Sequence, residues 1–352
     1  MRSRYEGCLL GGAVGDALGY PVEFMKEAAI RAEYGPQGIR TLAQAGRPAV
    51  ISDDTQMTLF AANAIVCREQ LGGDLRKSLW TAYCEWLGTQ GDTSRMDDPE
   101  RPKMWVYNEP KMHAWRAPGN TCLAAIRNSP HGGAIQQPVN GSKGCGAVMR
   151  AAPFGLAVSA KGACGDGDVG VYKMAVEDAA LTHGHPMAWA SSCALAQMIY
   201  QIVQQRPGRD YRLEKVVPMS FFHMDPAVNG QLQALLRRAV QLAQDKKVSD
   251  LDGVHALGEG WVAEEALAIA VFCAVRYQDN FAAAICAAVN HGGDSDSTGA
   301  ICGNILGAWL GREAVEAAFD LNDLELREVI VKMADQLYEA VNARARPAPP
   351  AQ

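Results

Sequence analysis

Stretches in which β-branched residues alternate with polar ones are nearly absent from this 352-residue chain, while Ala, Leu, Met and Gln are plentiful. That pattern reads as helix nearly throughout. Leu326, Val329, Ile330, Met333, Leu337 and Val341 share one helical face. Asp225-Pro226 reads as an N-cap followed by a first-turn proline, opening a helix to about Ala243. Trp261 to Tyr277 and Phe281 to Val289 read as buried helices, and Gly11, Gly12, Gly15 and Gly19 recur at the spacing of close helix packing. Loop-rich regions are expected over Gly91–Asn120, Ser129–Gly146 and Ser159–Asp168. With no composition shift or internal repeat, one all-α domain over residues 1–345 is expected, with a disordered Pro-rich tail over 346–352.

Composition removes several function classes. Hydrophobic residues make up 48% and charged residues 20%, enough apolar surface for a core and against disorder. The net charge of −6, without a long basic run, argues against nucleic acid as partner. Thr182 to Gln205 is uncharged and long enough to cross a bilayer. Its His183, His185, Ser191, Ser192 and Gln197 predict a buried helix of a soluble protein instead, with no membrane partner. No signal peptide is expected. The ten cysteines form no C-x-x-C pair and sit mostly among Ala and Leu, which fits a cytoplasmic location and indicates neither zinc nor disulfides.

Two acidic clusters carry the chemistry. Ser52-Asp53-Asp54-Thr55 precedes one helical run, and Gly292-Gly-Asp294-Ser-Asp296-Ser297-Thr298-Gly299 precedes another. Either can be an N-cap. Each, however, offers several oxygen side chains where a cap needs one, and adjacent carboxylates repel unless a cation or proton compensates. A set of carboxylates and hydroxyls without His or Cys selects Mg²⁺, Mn²⁺ or Ca²⁺ over Zn²⁺. Two such clusters suit a pair of ions about 3.5–4 Å apart, as in two-metal hydrolytic sites.

The segment Gly7-Cys-Leu-Leu-Gly-Gly-Ala-Val-Gly-Asp-Ala-Leu-Gly-Tyr-Pro-Val-Glu23 resembles the opening motif of the ADP-ribosylglycohydrolase family. Ser52-Asp-Asp-Thr-Gln-Met57, Trp115-Arg-Ala-Pro-Gly-Asn-Thr121, Gly141-Ser-Lys-Gly-Cys-Gly-Ala-Val-Met-Arg150 and Gly292-Gly-Asp-Ser-Asp-Ser-Thr298 resemble its later motifs, in family order. The resemblance implies an orthogonal helical bundle around a central cleft with two divalent cations, Mg²⁺ or Mn²⁺. It places Ser52, Asp53 and Asp54 in one ligand set and Asp294, Asp296 and Ser297 in the other, with serine for the commoner threonine at positions 52 and 297. Glu23 matches a family acid near the scissile bond. Glu23 and Asp54 are the candidates for proton transfer, while Asp16 is as suited to anchoring its segment as to reacting. Ser142, Gly144, Gly146 and His183 match positions lining the ADP-ribose site; Lys143 and Cys145 depart from the residues common there.

The implied activity is metal-dependent cleavage of the N-glycosidic bond between ADP-ribose and protein arginine. It would reverse the work of an ADP-ribosyltransferase, as endogenous regulation or as immunity against a toxin. Cleavage of O-linked ADP-ribose and a catalytically silent ADP-ribose-binding role are the alternatives, and a nucleotide phosphoesterase is a further one. Trp105, Tyr107 and Trp115 are expected either to border the cleft or simply to pack.

Overall fold

The computed structural model describes residues 1–158, 167–204, 212–220 and 226–343. Among them there is no strand, only isolated bridges, and the chain is all-α as its residue pattern predicts. Residues 159–166, the tail 344–352 and Asp225 of the expected N-cap lie outside the described residues.

The helix Arg2–Gly19 is the axis of the fold and is buried from Tyr5 onward. It runs antiparallel to the helix Ser295–Leu310. Gly7, Gly11 and Gly15 face Gly307, Gly303 and Gly299, and a Cβ added at these three would sit 2.3, 2.3 and 2.0 Å from the opposing carbonyl oxygens. Reciprocally, a Cβ on Gly303 would lie 1.9 Å from the Gly11 oxygen. Only glycine lets two backbones approach this closely, so the stripe fixes both spacing and register. Asn304 locks the register further, donating to the Cys8 carbonyl at 2.8 Å. The sequence reading recognised one half of this interlock, the N-terminal stripe, but not its partner.

Further helices cover this pair. Asp53–Leu71, Pro186–Gln204, Ala263–Arg276 and Phe281–Val289 are the more deeply buried; Arg327–Ala343 packs its apolar face, with Ile330, Met333, Leu337 and Val341 buried. The uncharged stretch from Thr182 holds the expected buried helix, Pro186–Gln204. Asp168–Thr182 ends at Thr182, His183 is extended, and Pro186 starts the next helix, because a proline sits well in a first turn but not within one. The break leaves His183 and Gly184 as a buried connector. The Gly91–Asn120 and Ser129–Gly146 stretches are irregular apart from short 3₁₀ turns and the single α-helix starting at Asn120. Among the described residues, no helix is long and apolar enough to cross a membrane.

Candidate active site and metal centre

The glycine register has a direct consequence for chemistry. Because the helices run antiparallel, the C-terminal end of Arg2–Gly19 meets the N-terminal end of Ser295–Leu310: a Cβ on Gly19 would touch the Ser295 carbonyl at 2.3 Å. Glu23, one 3₁₀ turn beyond Gly19, therefore arrives beside Asp294 and Asp296. Oxygens of these three buried residues lie within 4.8 Å of one another.

The same first helix recruits the other acidic cluster. Asp16 accepts from the Ser52 N–H at 2.9 Å, from the Thr55 N–H at 3.1 Å and from the Thr55 hydroxyl. It caps the start of Asp53–Leu71, and of the two roles open to it in the sequence it fills the anchoring one. Burial raises its pKa to about 6 against these hydrogen bonds. Ser52 is the N-cap, its hydroxyl accepting from the Asp54 N–H at 3.1 Å. The Trp115–Thr121 motif supports Asp53 from the other side: the Arg116 carbonyl accepts the Asp53 N–H at 3.0 Å, and the Gly119 N–H donates to Asp53 Oδ2 at 3.0 Å. The Arg116 guanidinium turns away to buried Glu325 at 3.1 Å.

Both acidic clusters are thus helix caps and also members of one buried group. Asp294 caps its helix by accepting the Ser297 N–H at 3.3 Å, and Asp296 accepts the same N–H at 2.9 Å. Glu23, Asp53, Asp54, Asp294 and Asp296 are all less than 9% exposed. Burial first, and repulsion among the carboxylates second, raises Glu23 to about 9. Burial dominates the rise of Asp53 to about 8. Asp54 and Asp296 are pushed well up, by burial and then by neighbouring carboxylates. Glu23 Oε2 and Asp54 Oδ2 have no hydrogen-bond partner although buried. Unpaired carboxylate oxygens in a dry, crowded site are what divalent cations with oxygen ligands satisfy, so the donor set fits such ions.

A pH dependence follows for the metal-free protein. Unfolded, these carboxyls titrate near about 4; folded, Asp53 and Glu23 titrate near 8 and 9. Between those limits the native state holds more protons, so stability is fully present below about pH 4 and is lost as pH rises through the folded values. Thermal melts in chelator should therefore show Tm falling from pH 5 to pH 9, with saturating Mn²⁺ opposing the fall. A flat or rising Tm in chelator would contradict the packing of these charges.

The Gly-rich loop borders the cluster. Ser142 Oγ accepts the Gly144 N–H at 3.2 Å and meets the Thr121 hydroxyl at 3.1 Å, while the Cys145 N–H donates to the Trp261 carbonyl at 3.3 Å. A Cβ on Gly144 or Gly146 would lie 3.6 or 3.4 Å from His183 Nε2, so Gly144, Gly146 and His183 form one surface. His183 is buried and bonded through Nδ1 to the Thr182 hydroxyl at 2.9 Å; burial, then the Arg150 charge, lowers its pKa to about 3 and keeps it neutral. Beneath it, fully buried Arg150 donates to the Gly146 carbonyl at 2.8 Å, pairs with Asp178 at 3.1 Å and lies over the Tyr83 ring. The loop is thereby held from below by a charge that is itself paired.

The Lys143 ammonium pairs with Glu264. Trp105 is partly buried under the Lys332 ammonium, 3.7 Å from its ring centroid, and Tyr107 packs edge-on against His113. Trp115 is 60% exposed beside the Arg116 segment. Exposed Phe24 stacks on Trp261 at 5.8 Å, next in sequence to Glu23 and to Gly260, which packs on Asp294. Most consequential is Cys145, whose Sγ lies 2.8 Å from Asp294 Oδ2. The three-carboxylate group itself holds no cysteine, as expected, but a thiol from the Gly-rich loop reaches its edge. Sequence spacing could not show it, because Cys145 and Asp294 come together only through the Trp261–Ala263 contact to the loop.

The ADP-ribosylglycohydrolase family model matches residues 1–347. The chain belongs to that family. It is accordingly a hydrolase of ADP-ribose conjugates, and its family is metal-dependent. It is 27% identical over 346 residues to the ADP-ribosyl-[dinitrogen reductase] glycohydrolase of Rhodospirillum rubrum, covering 96% of each chain. It is 23% identical to ADP-ribosylhydrolase ARH3 of Danio rerio, over 92% of this chain and 86% of that protein. A solved structure titled ADP-ribosylglycohydrolase-related protein complex superposes with a TM-score of 0.64 at 25% identity, covering 97% and 98% of the two chains.

Proposed function

We propose that this hydrolase removes ADP-ribose from protein arginine, using two divalent cations, Mg²⁺ or Mn²⁺, held by Ser52, Asp53, Asp54, Asp294, Asp296 and Ser297. The observation that carries the reading is a neighbourhood of five buried carboxylates beside the Gly-rich loop, two with an unpartnered oxygen and three, Glu23, Asp294 and Asp296, with oxygens within 4.8 Å of one another. When bound, the cations would neutralise the cluster and supply Lewis-acid polarisation of water and ribose hydroxyls. Glu23 is the proton carrier in this reading. Its Oε2 is unpartnered, and it follows the 3₁₀ turn, next to exposed Phe24. A protonated Glu23 can give its proton to the departing guanidinium nitrogen as the glycosidic bond lengthens, and the resulting carboxylate can take one from attacking water. Asp54, deeper and 3% exposed, serves as ligand. Ser142, Gly144, Gly146 and His183 would seat the ADP-ribose, with neutral His183 offering Nε2 to it. The emerging cationic arginine is drawn to the remaining carboxylate charge. The substrate would be the product of an ADP-ribosyltransferase, whether an endogenous regulator or a toxin.

The test is incubation with arginine- and serine-ADP-ribosylated protein, with Mg²⁺, Mn²⁺ or EDTA, reading free ADP-ribose by mass spectrometry. Release from the arginine substrate, abolished by EDTA, is expected. Glu23→Gln should lower kcat about 10²–10⁴-fold, the usual worth of a positioned acid–base group. Release from serine alone would reassign the linkage, release of AMP would indicate a phosphoesterase, and no release with metal bound would indicate a binding protein.

A further inference from the structure

We propose that Cys145 makes the acidic centre a mixed oxygen–sulfur site that captures one thiophilic divalent cation, of the Zn²⁺ or Cd²⁺ type, and is inhibited by it. This rests on the reading of the cluster as a cation site. The thiol is aimed at the cluster by its backbone: the Cys145 N–H is held by the Trp261 carbonyl at 3.3 Å, and the next residue but one along that strand of contacts, Ala263, donates to the Lys143 carbonyl at 2.9 Å. So clamped, Sγ donates to Asp294 Oδ2 at 2.8 Å.

The independent sign of a ligand is the pair of orphaned oxygens on the same centre. Glu23 Oε2 and Asp54 Oδ2 are unpartnered on side chains only 8% and 3% exposed. Asp294, which accepts from the thiol, lies with Glu23 and Asp296 in one group of oxygens within 4.8 Å of one another. The soft donor therefore sits at the edge of the hard-donor group, sharing Asp294 with it.

Ligand softness decides which ion uses the sulfur. Mg²⁺ is satisfied by oxygen alone and leaves the thiol as a hydrogen-bond donor, whereas Zn²⁺ and Cd²⁺ favour thiolate. On capture the Sγ–H bond breaks, its proton passes to solvent, and a sulfur lone pair forms the bond to the metal. No oxidation state changes. Asp294 Oδ2 loses the hydrogen bond it accepted and becomes available to the same ion. The captured ion then occupies the place of the hard cation, which accounts for the inhibition.

The full-length protein, freed of metal, should be titrated with Cd²⁺ while following the ultraviolet sulfur-to-cadmium charge-transfer band. Mn²⁺ binding is measured in parallel by loss of the free-ion electron paramagnetic resonance signal. One equivalent of band is expected, and Cys145→Ser should lose it, weaken Cd²⁺ binding about 10–100-fold and leave Mn²⁺ binding unchanged. Cadmium NMR of the unmodified protein gives a readout that needs no variant, since sulfur ligation moves the resonance downfield of the all-oxygen position. An undiminished band in Cys145→Ser, or an all-oxygen resonance in the unmodified protein, overturns the proposal. Mn²⁺ binding with no cadmium–sulfur signal would sink the role of the thiol and spare the cation site; absence of both would sink the two together.

Discussion

Asp54→Asn is expected to release ADP-ribose at least about a hundredfold more slowly than the unmodified enzyme, yet to melt at a higher temperature in chelator. The activity loss follows from the proposed role of Asp54, whose Oδ2 is buried without a partner, as a cation ligand; loss of even a supporting partner around a metal typically costs about 10–100-fold. The stability gain follows from the same geometry with the opposite sign. Asp54 is pushed well above its ordinary pKa by burial and then by Asp16, Asp53 and Asp294, so an uncharged amide of the same shape removes repulsion rather than a bond. Saturating Mn²⁺ should raise the Tm of the unmodified protein and raise that of the variant less. Melting curves with and without metal, alongside Mn²⁺ binding and turnover, check both halves. A variant less stable in chelator would show that Asp54 is structural and that the cluster is not strained by its own charge.

The second large effect concerns the helix pair on which everything is hung. Gly303→Val should yield little or no folded protein, because the first added carbon would sit 1.9 Å from the Gly11 carbonyl oxygen and 2.5 Å from its carbon. Overpacking against side chains costs about 1–3 kcal/mol, since rotamers can give; here the obstacle is helix backbone, and the axes must part instead. Parting them also separates Glu23 from Asp294, so any folded remainder should bind Mn²⁺ poorly. The contrasting substitution is Gly230→Ala. Gly230 is exposed within the helix Pro226–Gln244, and an added Cβ there meets nothing within 4 Å. It should stabilise by about 0.5–1 kcal/mol, the helix-interior cost of glycine. Circular dichroism melts of the two variants distinguish close packing from mere helix propensity. Wild-type-like melting of Gly303→Val would contradict the interlock.

These two predictions mark what residue pattern could and could not reach. Helicity was legible because it is local: the spacing of Ile330, Met333, Leu337 and Val341 and the lack of alternating β-branched runs each declare a helix without reference to the rest of the chain. The oxygen-rich character of the acidic clusters was legible too, since Ser52-Asp53-Asp54 and Asp294-Ser-Asp296-Ser297 are dense in oxygen whatever their surroundings.

What the tertiary structure decided is which of these groups share a space. The two acidic clusters lie near opposite ends of the chain, and one helix joins them: Asp16 holds the Ser52–Thr55 turn, while the Gly7–Gly19 stripe slides Glu23 against Asp294 in a register only backbone contact can define. Cys145 meets Asp294, and Arg150 supports the loop under His183, through contacts between segments with no sequence relation to one another. Ligand type is a property of side chains and is written in the sequence. Proximity, and with it the repulsion that raises these carboxyls and the thiol that joins them, arises when distant segments are packed against each other and water is excluded.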